Sequence, residues 1–345
     1  MRALTLTGVG GLDRLALQEV PVPPLRSAQD VRVRVRCAAL NRVDLFVSGG
    51  LPDLPIEFPH VVGSDGAGVV ESVGPEVDTV RPGDRVMLNP GVSCGHCADC
   101  LEGEESLCAG YAILGEHRAG TAAELVVVPA VNVAPVPPGM SWPQAAGFSL
   151  ATLTAWRMLA GRAGLRAGET VLIWGVGGGV GMAALQISVL LGARAMVTSG
   201  SQAKLAVARD YGAAVTLDHG TDDVVAAAKR ETGGRGADVV VDCVGERTWE
   251  RTLRAVRRGG RIVVCGATTG PRASFDLRRL FWRQWSILGS TMGNRREYAE
   301  IVRLAHQGRL WPVVDQVLPL SRGAEAYARM ERGEQTGKLV LEVTT

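Results

Sequence analysis

The feature that most constrains this chain is an uncharged segment, Val171 to Ala193, whose first half carries five glycines. A segment of this length is long enough to span a bilayer. Glycines weaken a helix interior, however, and here they are concentrated between Trp174 and Met182. The pattern therefore favours a buried strand, a tight turn and a helix over a membrane span.

Strand-like and helix-like segments alternate after this turn. Such alternation predicts a doubly wound parallel sheet, with a ligand crevice at the carboxyl ends of its strands. The predicted strands are Val171–Trp174, Arg194–Thr198, Ala214–Leu217, Asp238–Val244, Arg261–Gly266 and Ser286–Leu288. The predicted helices are Met182–Leu191, Gln202–Tyr211, Val224–Glu231 and Thr248–Val256.

The first third of the chain has a different pattern, in which short apolar runs are separated by proline and glycine. This pattern predicts antiparallel strands and turns. Because 345 residues exceed the usual size of one hydrophobic core, we expect two domains. The predicted boundaries give a β-rich domain at 1–141, a parallel-sheet domain at 142–310 and a C-terminal return to the first domain at 311–345.

Charge and the N-terminal segment exclude several classes of protein. The net charge is +2, so no basic surplus indicates a nucleic acid or an anionic membrane as a partner. The first ten residues lack the basic and apolar regions of a secretory signal, so we expect a cytoplasmic protein. Only three of the 37 basic residues are lysines, and we interpret this preference for arginine as an effect of codon composition rather than of function.

The glycine-rich turn predicts a dinucleotide site. Its glycines follow the spacing G-x-x-G-x-x-G through Gly175, Gly178 and Gly181, between a strand and an uncharged helix. Backbone N–H groups at the start of such a helix can bind a pyrophosphate. The alternative is a tight connection without a ligand. The predicted cofactor-binding residues of the turn are Gly175, Gly178, Gly179, Val180 and Gly181.

The segment after the second strand favours NADPH over NADH. No acidic residue is present there to bind the ribose 2′-OH. Ser199, Ser201 and Lys204 offer hydroxyls and an ammonium, which suit a 2′-phosphate. Alternatively, Ser201 caps the next helix and Lys204 is solvated. Val244 and Gly266, at the ends of two later predicted strands, complete the predicted cofactor set.

Four cysteines within fifteen residues predict a metal site. Cys94, Cys97, Cys100 and Cys108 can supply four thiolates, which suit a tetrahedral structural Zn²⁺ with every position filled. An iron–sulfur cluster is the main alternative, because disulfides are disfavoured in the cytoplasm. His96 lies in the same loop but has no coordination position left.

The three other cysteines are Cys37, Cys243 and Cys265. Each lies in an apolar, strand-like run. Because free cysteine is among the most buried residue types, we interpret them as packing residues rather than nucleophiles.

These motifs together resemble the medium-chain dehydrogenase/reductase superfamily over essentially the whole chain. The motifs that carry the resemblance are Gly63-x-Asp65-x-x-Gly68-x-Val70, the four-cysteine lobe, Gly178-Gly-Val-Gly181 and Leu288-Gly-Ser-Thr-Met292. The resemblance implies an α/β protein with a GroES-like catalytic domain, which the C-terminal strands complete, and a Rossmann domain.

The resemblance also implies where a catalytic zinc would be bound, and this chain departs from that pattern. Asn41 occupies the position of the family's cysteine, Ser64 that of its histidine, and Leu150 that of its later ligand. Without thiolate and imidazole, affinity for zinc should collapse. Asn41 and the Gly-x-Asp step resemble the quinone oxidoreductase branch, whereas the cysteine lobe resembles the alcohol dehydrogenase branch.

We therefore expect an NAD(P)H-dependent oxidoreductase that reduces a quinone or an α,β-unsaturated carbonyl compound without a catalytic zinc. Asn41 is predicted to position the substrate or the nicotinamide ribose, Asp65 to be a structural anchor, and His117 to donate a proton. The alternatives are a turn residue for Asn41 and a structural role for His117.

Two other functions are consistent with the sequence. One is an alcohol dehydrogenase with a degenerate metal site, and the other is an NADPH-binding protein without turnover. We expect a small-molecule carbonyl substrate, no nucleic-acid or membrane partner, and a homodimer or homotetramer.

Overall fold

The computed structural model describes residues 1–51 and 54–343. The chain divides into two compact units, Met1–Ala151 with Asn294–Thr345, and Thr152–Gly293. The sequence predicts these limits at 141/142 and 310/311. One helix, Trp142–Trp156, runs through the first observed limit, so no loop marks that limit in the sequence.

Strands and helices are numbered here in chain order. The strands are β1 (Arg2–Leu6), β2 (Leu15–Glu19), β3 (Asp30–Ala39), β4 (His60–Val61), β5 (Asp65–Val73), β6 (Arg85–Leu88), β7 (Gly91–Val92), β8 (Ala112–Ile113), β9 (Leu125–Pro129), β10 (Val133–Pro135), β11 (Thr170–Ile173), β12 (Arg194–Ser199), β13 (Val215–Asp218), β14 (Ala237–Asp242), β15 (Val256–Val264), β16 (Ser286–Gly289), β17 (Val314–Pro319) and β18 (Lys338–Glu342). The helices are α1 (Arg42–Gly49), α2 (Ala98–Leu101), α3 (Trp142–Trp156), α4 (Gly179–Leu190), α5 (Gln202–Asp210), α6 (Val224–Arg230), α7 (Trp249–Ala255), α8 (Leu277–Arg283), α9 (Arg295–His306) and α10 (Gly323–Glu331).

The first unit is built around the long strand β3. Val31, Val33 and Val35 are fully buried and alternate with arginines, which is the period of a strand with one face in the core. One edge of β3 pairs antiparallel with β5. The other edge pairs with β9 along its first half and with the C-terminal strand β18 at its end. This register brings the start of β18 close to the residues that follow β3.

The second unit contains a six-stranded parallel sheet in the order β13-β12-β11-β14-β15-β16. Val239, Val240 and Val241 of β14 are all fully buried, as expected for a central strand covered on both faces. Together with the β-rich first unit, this sheet confirms the predicted α/β fold of a GroES-like domain and a Rossmann domain.

Strand β14 ends earlier than the sequence predicted. The run Asp238–Val244 looks like one strand, but Asp242 Oδ1 accepts the backbone N–H groups of Val244 and Gly245 at 2.9 and 3.0 Å. This turn takes the chain out of the sheet after Asp242. Cys243 and Val244 therefore lie at the carboxyl edge of the sheet, where ligands bind in this type of fold.

The uncharged segment Val171 to Ala193 forms most of β11, the glycine turn and α4. Within the described part of the chain, no helix combines the length and the apolarity needed to cross a membrane.

Candidate functional site

The four cysteines of the lobe converge. Their Sγ atoms all lie within 4.8 Å of one another, and those of Cys94 and Cys100 are 3.9 Å apart. A tetrahedron with zinc–sulfur bonds of about 2.3 Å has edges of about 3.8 Å. Backbone N–H groups of His96 and Cys97 lower the pKa of the Cys94 thiol to about 6, whereas the neighbouring thiols of the cluster raise the pKa of Cys97. The four side chains, completed by Cys108, therefore fit a tetrahedral metal.

The lobe is fastened to the start of α9 within the same unit. The buried carboxylate of Glu105 accepts the backbone N–H of Arg295 at 3.2 Å and lies 3.8 Å from its guanidinium. The same guanidinium donates to Ser93 at 3.4 Å. A carboxylate at a helix N-terminus is electrostatically favourable, so this contact attaches the lobe to α9.

The glycine turn of the second unit has the conformation that a dinucleotide site needs. Gly175 has a φ of 75°, a region that side chains disfavour. A Cβ on Gly181 would lie 2.6 Å from the Gly175 carbonyl oxygen, so only glycine lets α4 pack this closely on the turn. Gly178 is the N-cap of α4, whose first N–H groups are available for a pyrophosphate.

Lys204 lies against this turn. A Cβ built on Gly177 would be 3.0 Å from its Nζ atom. Ser199 at the end of β12 is buried, and its Oγ accepts the N–H of Ser201 at 3.2 Å. Ser201 is the N-cap of α5, but its side chain makes no capping hydrogen bond there. The residues predicted to bind the 2′-phosphate, which are Ser199, Ser201 and Lys204, thus lie around the carboxyl end of β12.

Val244 and Gly266 follow the neighbouring strands β14 and β15. The Cγ2 atom of Val244 would be 3.8 Å from a Cβ on Gly175. A Cβ on Gly266 would be 3.7 Å from the carbonyl oxygen of Cys243. The predicted cofactor residues therefore lie at or beyond the carboxyl ends of four neighbouring strands of one parallel sheet, in the order β12, β11, β14 and β15.

In the first unit Asn41 and Asp65 belong to one buried polar network. Asn41 Nδ2 donates to Asp65 Oδ2 at 2.9 Å. Lys338, the first residue of β18, donates from Nζ to Asn41 Oδ1 at 2.6 Å and to Asp65 Oδ2 at 3.0 Å. The lysine and aspartate side chains are 4% and 0% exposed. Both ends of the Asn41 amide are therefore held by charged groups of the protein itself.

The second oxygen of Asp65 is also engaged. Its Oδ1 atom accepts the backbone N–H of Leu150 at 2.8 Å. Nearby, Ser149 Oγ and Tyr298 Oη are 3.0 Å apart, and burial raises the pKa of the tyrosine. Ser64, the neighbour of Asp65, has a buried Oγ atom with no hydrogen-bond partner among the described residues.

Asp44 is a second buried carboxyl group close to this network. Its Oδ2 atom accepts the N–H of Asn41 at 2.9 Å and the hydroxyl of Tyr327 at 3.1 Å. Its Oδ1 atom has no partner within the described part of the chain. Burial, opposed in part by these hydrogen bonds and by Lys338, raises the pKa of Asp44 to about 7.

The raised pKa of Asp44 makes stability depend on pH. Between pH about 4 and about 7 the folded protein keeps this proton, whereas the unfolded chain releases it. The free energy of unfolding should therefore fall as the pH rises through this window, by up to about 1.4 kcal/mol per pH unit, and level off above it. The variant Asp44→Asn should lack this component. Urea denaturation of both proteins across the window measures it, and parallel curves would contradict the assignment.

His117 is not part of the network in the first unit's core. It lies on an exposed turn, where its Nδ1 atom accepts the N–H of Ile113 at 3.3 Å and lies 4.0 Å from a Glu116 oxygen. Both contacts are local in sequence. The predicted proton-donor role of His117 stays a prediction.

Two family descriptions match the chain. "Alcohol dehydrogenase GroES-like domain" matches residues 27–138, and "Zinc-binding dehydrogenase" matches residues 179–307. A crotonyl-CoA reductase of Streptomyces avermitilis is 30% identical over 94% of this chain and 80% of its own length. The chain belongs to the medium-chain dehydrogenase/reductase superfamily.

Other relatives in the superfamily have related activities. A mouse quinone oxidoreductase is 28% identical over 99% of this chain and 97% of its own length. A solved structure described as an NAD-dependent alcohol dehydrogenase is 45% identical, with a TM-score of 0.95 and complete coverage of both chains. This superfamily member is therefore an NAD(P)-dependent oxidoreductase that uses a nicotinamide cofactor.

The residues that the family resemblance assigns to a catalytic zinc include Asn41 and Ser64, an amide and a hydroxyl where the resemblance expects a thiolate and an imidazole. Both oxygens of Asp65 are hydrogen-bonded within the protein. As a donor set, these side chains fit a catalytic zinc poorly. Across residues 1–51 and 54–343, the group of three or more metal-binding side chains that converges is the cysteine lobe.

Lys338 is the residue that sequence reasoning missed. The signal was present, because a lysine opens an apolar strand in a chain that otherwise uses arginine almost throughout. Buried lysines are rare without a partner. A search for a buried carboxylate to match Lys338 would have pointed to Asp65.

Proposed function

We propose that this protein transfers a hydride from NADPH to a quinone or another α,β-unsaturated carbonyl compound without a catalytic zinc. The observation that carries the proposal is that both carboxylate oxygens of Asp65 are hydrogen-bonded within the protein. By the family resemblance, Asp65 is the carboxylate that remains at the catalytic-zinc positions. Leu150, Asn41 and Lys338 donate the hydrogen bonds to its oxygens. We therefore infer that the Lys338–Asp65 ion pair takes the place of a zinc ion acting as a Lewis acid.

The chemistry of such a site favours a conjugated acceptor. The Lys338–Asp65 pair is electrically neutral as a whole, so it supplies hydrogen-bond donors rather than a net positive charge. An ammonium has three N–H donors, and two of those of Lys338 are used within the described chain. We assign the third to the substrate carbonyl oxygen. When bound, the reduced nicotinamide supplies the hydride. A conjugated carbonyl spreads the developing negative charge, so hydrogen-bond donors are sufficient to stabilise it.

An acceptor screen tests the proposal. NADPH oxidation is followed with benzoquinones, simple enones, a crotonyl thioester and saturated aldehydes, before and after treatment with a chelator. We expect turnover with the conjugated acceptors and little with the saturated aldehydes. We also expect the rate to survive chelation for as long as circular dichroism shows a folded protein. A rate that returns only with added zinc, while the fold is intact throughout, would refute the proposal.

Alcohol oxidation is the second candidate function, because the solved structure at 45% identity is described as an alcohol dehydrogenase. The same protein preparation is tested with primary and secondary alcohols and NAD⁺ or NADP⁺. Rapid zinc-dependent alcohol oxidation would favour this candidate over the reduction of conjugated carbonyls.

The preference for NADPH is supported by the end of β12. Ser199, Gly200 and Ser201 supply no carboxylate for a ribose 2′-OH. Lys204 brings an ammonium to the glycine turn. Burial and the nearby guanidinium of Arg251 lower the pKa of His219, beside Gly200, so the second positive charge near this strand end is that of Arg251 and not of the histidine. The surroundings of this strand end are therefore suited to an additional phosphate.

Replacing Lys204 with alanine should weaken NADPH binding about ten- to hundredfold. A charge-assisted hydrogen bond contributes about 1.5 to 3 kcal/mol, and 1.4 kcal/mol corresponds to a tenfold change in affinity. NADH binding should change little, since NADH lacks the 2′-phosphate. Fluorescence titration with both cofactors measures the effect. Equal losses for NADPH and NADH would show that Lys204 binds the pyrophosphate instead, which its position at the turn also allows.

We also propose one structural Zn²⁺ in the cysteine lobe. Metal analysis of the purified protein should give about one zinc and no iron per chain, and two tightly held zinc ions would contradict the dismantled catalytic set. Cys97→Ser should lower the melting temperature, because metal binding is coupled to folding of the lobe. Its effect on the turnover of the folded protein should be small. An unchanged melting temperature with lost turnover would argue that the metal is catalytic.

A further inference from the structure

Two cysteines meet at the carboxyl edge of the parallel sheet, outside the zinc lobe. Cys243 directly follows β14 and Cys265 directly follows β15. These strands are neighbours, and their last paired residues are Asp242 and Val264. Each cysteine is therefore the residue that directly follows the last pair of this ladder. Neighbouring strands lie about 4.8 Å apart, within the range of Cα separations that a disulfide spans.

The side chains of this pair point toward each other. The Sγ atoms of Cys243 and Cys265 are 3.3 Å apart, and both residues are half-buried rather than sealed in the core. A disulfide needs an S–S distance of about 2.05 Å, so closure requires a movement of only about 1.3 Å. The sequence-based interpretation of both residues as packing cysteines does not account for this convergence.

We propose that Cys243 and Cys265 form a reversible disulfide, a modification site that weakens cofactor binding when it is oxidised. The oxidant is a low-molecular-weight disulfide such as oxidised glutathione. One protein thiolate attacks the small disulfide and releases one small thiol, and a mixed disulfide forms. The second protein thiol displaces the second small thiol. The two cysteines lose two hydrogen atoms in total, and the small disulfide is reduced to two thiols.

The geometry allows either thiol to begin the exchange. Both side chains are half-buried, and their Sγ atoms lie 3.3 Å apart. Whichever cysteine forms the mixed disulfide, the other thiol is already beside it, so the pair closes rather than stopping at that intermediate.

The link to cofactor binding follows from the next residues in the chain. Val244 approaches the glycine turn at Gly175, and Gly266 lies against the carbonyl of Cys243. Closing the disulfide brings the two Sγ atoms about 1.3 Å closer together. We infer that the backbone adjusts beside both cysteines and that this adjustment moves Val244 and Gly266. Conversely, a cofactor lying over these strand ends shields the thiols. This part of the inference rests on the proposed cofactor site, whereas the formation of the disulfide does not.

Peptide mapping tests the disulfide without an activity assay. The zinc-loaded protein is incubated with millimolar oxidised glutathione, alkylated and digested with trypsin, which gives peptides 236–247 and 262–272 with one of these cysteines in each. We expect the two peptides to be linked, the link to disappear with dithiothreitol, and its formation to slow at least fivefold with saturating NADPH. A zinc-sensitive dye confirms that the lobe keeps its metal. Protein that yields only the separate, alkylated peptides would overturn the proposal.

Cofactor titration tests the consequence. Oxidised protein should bind NADPH about tenfold more weakly than reduced protein, within the usual range of coupling between two sites. Cys243→Ser and Cys265→Ser should each lose this sensitivity to oxidised glutathione. Cys37→Ser, which removes a buried cysteine of the first unit, should keep both the link and the sensitivity. Equal NADPH affinity in the oxidised and reduced forms would overturn the proposed effect on binding. Failure of the acceptor screen would leave the disulfide proposal unaffected.

Discussion

Replacing Lys338 with methionine should lower the free energy of unfolding by about 3 to 5 kcal/mol, because it leaves the Asp65 carboxylate buried without its counter-charge. The Lys338 side chain is 4% exposed, and its ammonium donates to both Asp65 and Asn41. Methionine preserves most of the volume of the lysine side chain, so the loss measures charge rather than packing. Denaturant unfolding of the folded variant gives the value.

The chain offers a matched control and a rescue for this prediction. Lys229 on α6 is an exposed lysine, and Lys229→Met should change stability by less than about 0.5 kcal/mol. The double variant Asp65→Asn with Lys338→Met removes both charges, and it should recover part of the loss. If the single variant Lys338→Met were as stable as Lys229→Met, the buried ion pair would not hold the site together.

The sheet of the second unit could be predicted from local pattern. Its strands are continuous apolar runs, each followed by a helix-compatible segment, and the glycine turn marks where the helix α4 begins. The end of β14 could not be predicted in this way, since it depends on the Asp242 side chain accepting two backbone N–H groups. That turn decides where Cys243 and Val244 lie. Boundaries set by a single side chain leave no periodic signal.

Only part of the candidate site could be predicted from the sequence. Asn41 and Asp65 are 24 positions apart, and motifs placed them near each other. Lys338 lies 297 positions from Asn41 and reaches it only because β18 pairs with β3. Contacts of this kind depend on strand register across distant parts of the chain. The same limit applies to the Sγ contact of Cys243 and Cys265, which depends on the register of β14 and β15.

Asn41→Ala should lower the turnover of a conjugated acceptor about ten- to hundredfold, as expected when a group that supports the transition state is lost. The structure places the amide between Lys338 and Asp65, so we expect Asn41 to act by orienting the ammonium. The variant should therefore lower kcat more than it raises KM. It should also lose stability, because hydrogen bonds to charged groups contribute about 1.5 to 3 kcal/mol each.

A control must separate this loss of turnover from the loss of stability. Asn132 is a buried asparagine of the same unit, and its Nδ2 atom donates to the carbonyls of Asn89 and Gly91 at 2.9 and 2.6 Å. Asn132→Ala should destabilise the fold by breaking these bonds but leave kcat near that of the unmodified protein at a temperature where both are folded. A kcat for Asn41→Ala that matches the Asn132→Ala value would reduce Asn41 to a structural residue. The catalytic contribution would then have to come from Lys338 without its asparagine partner.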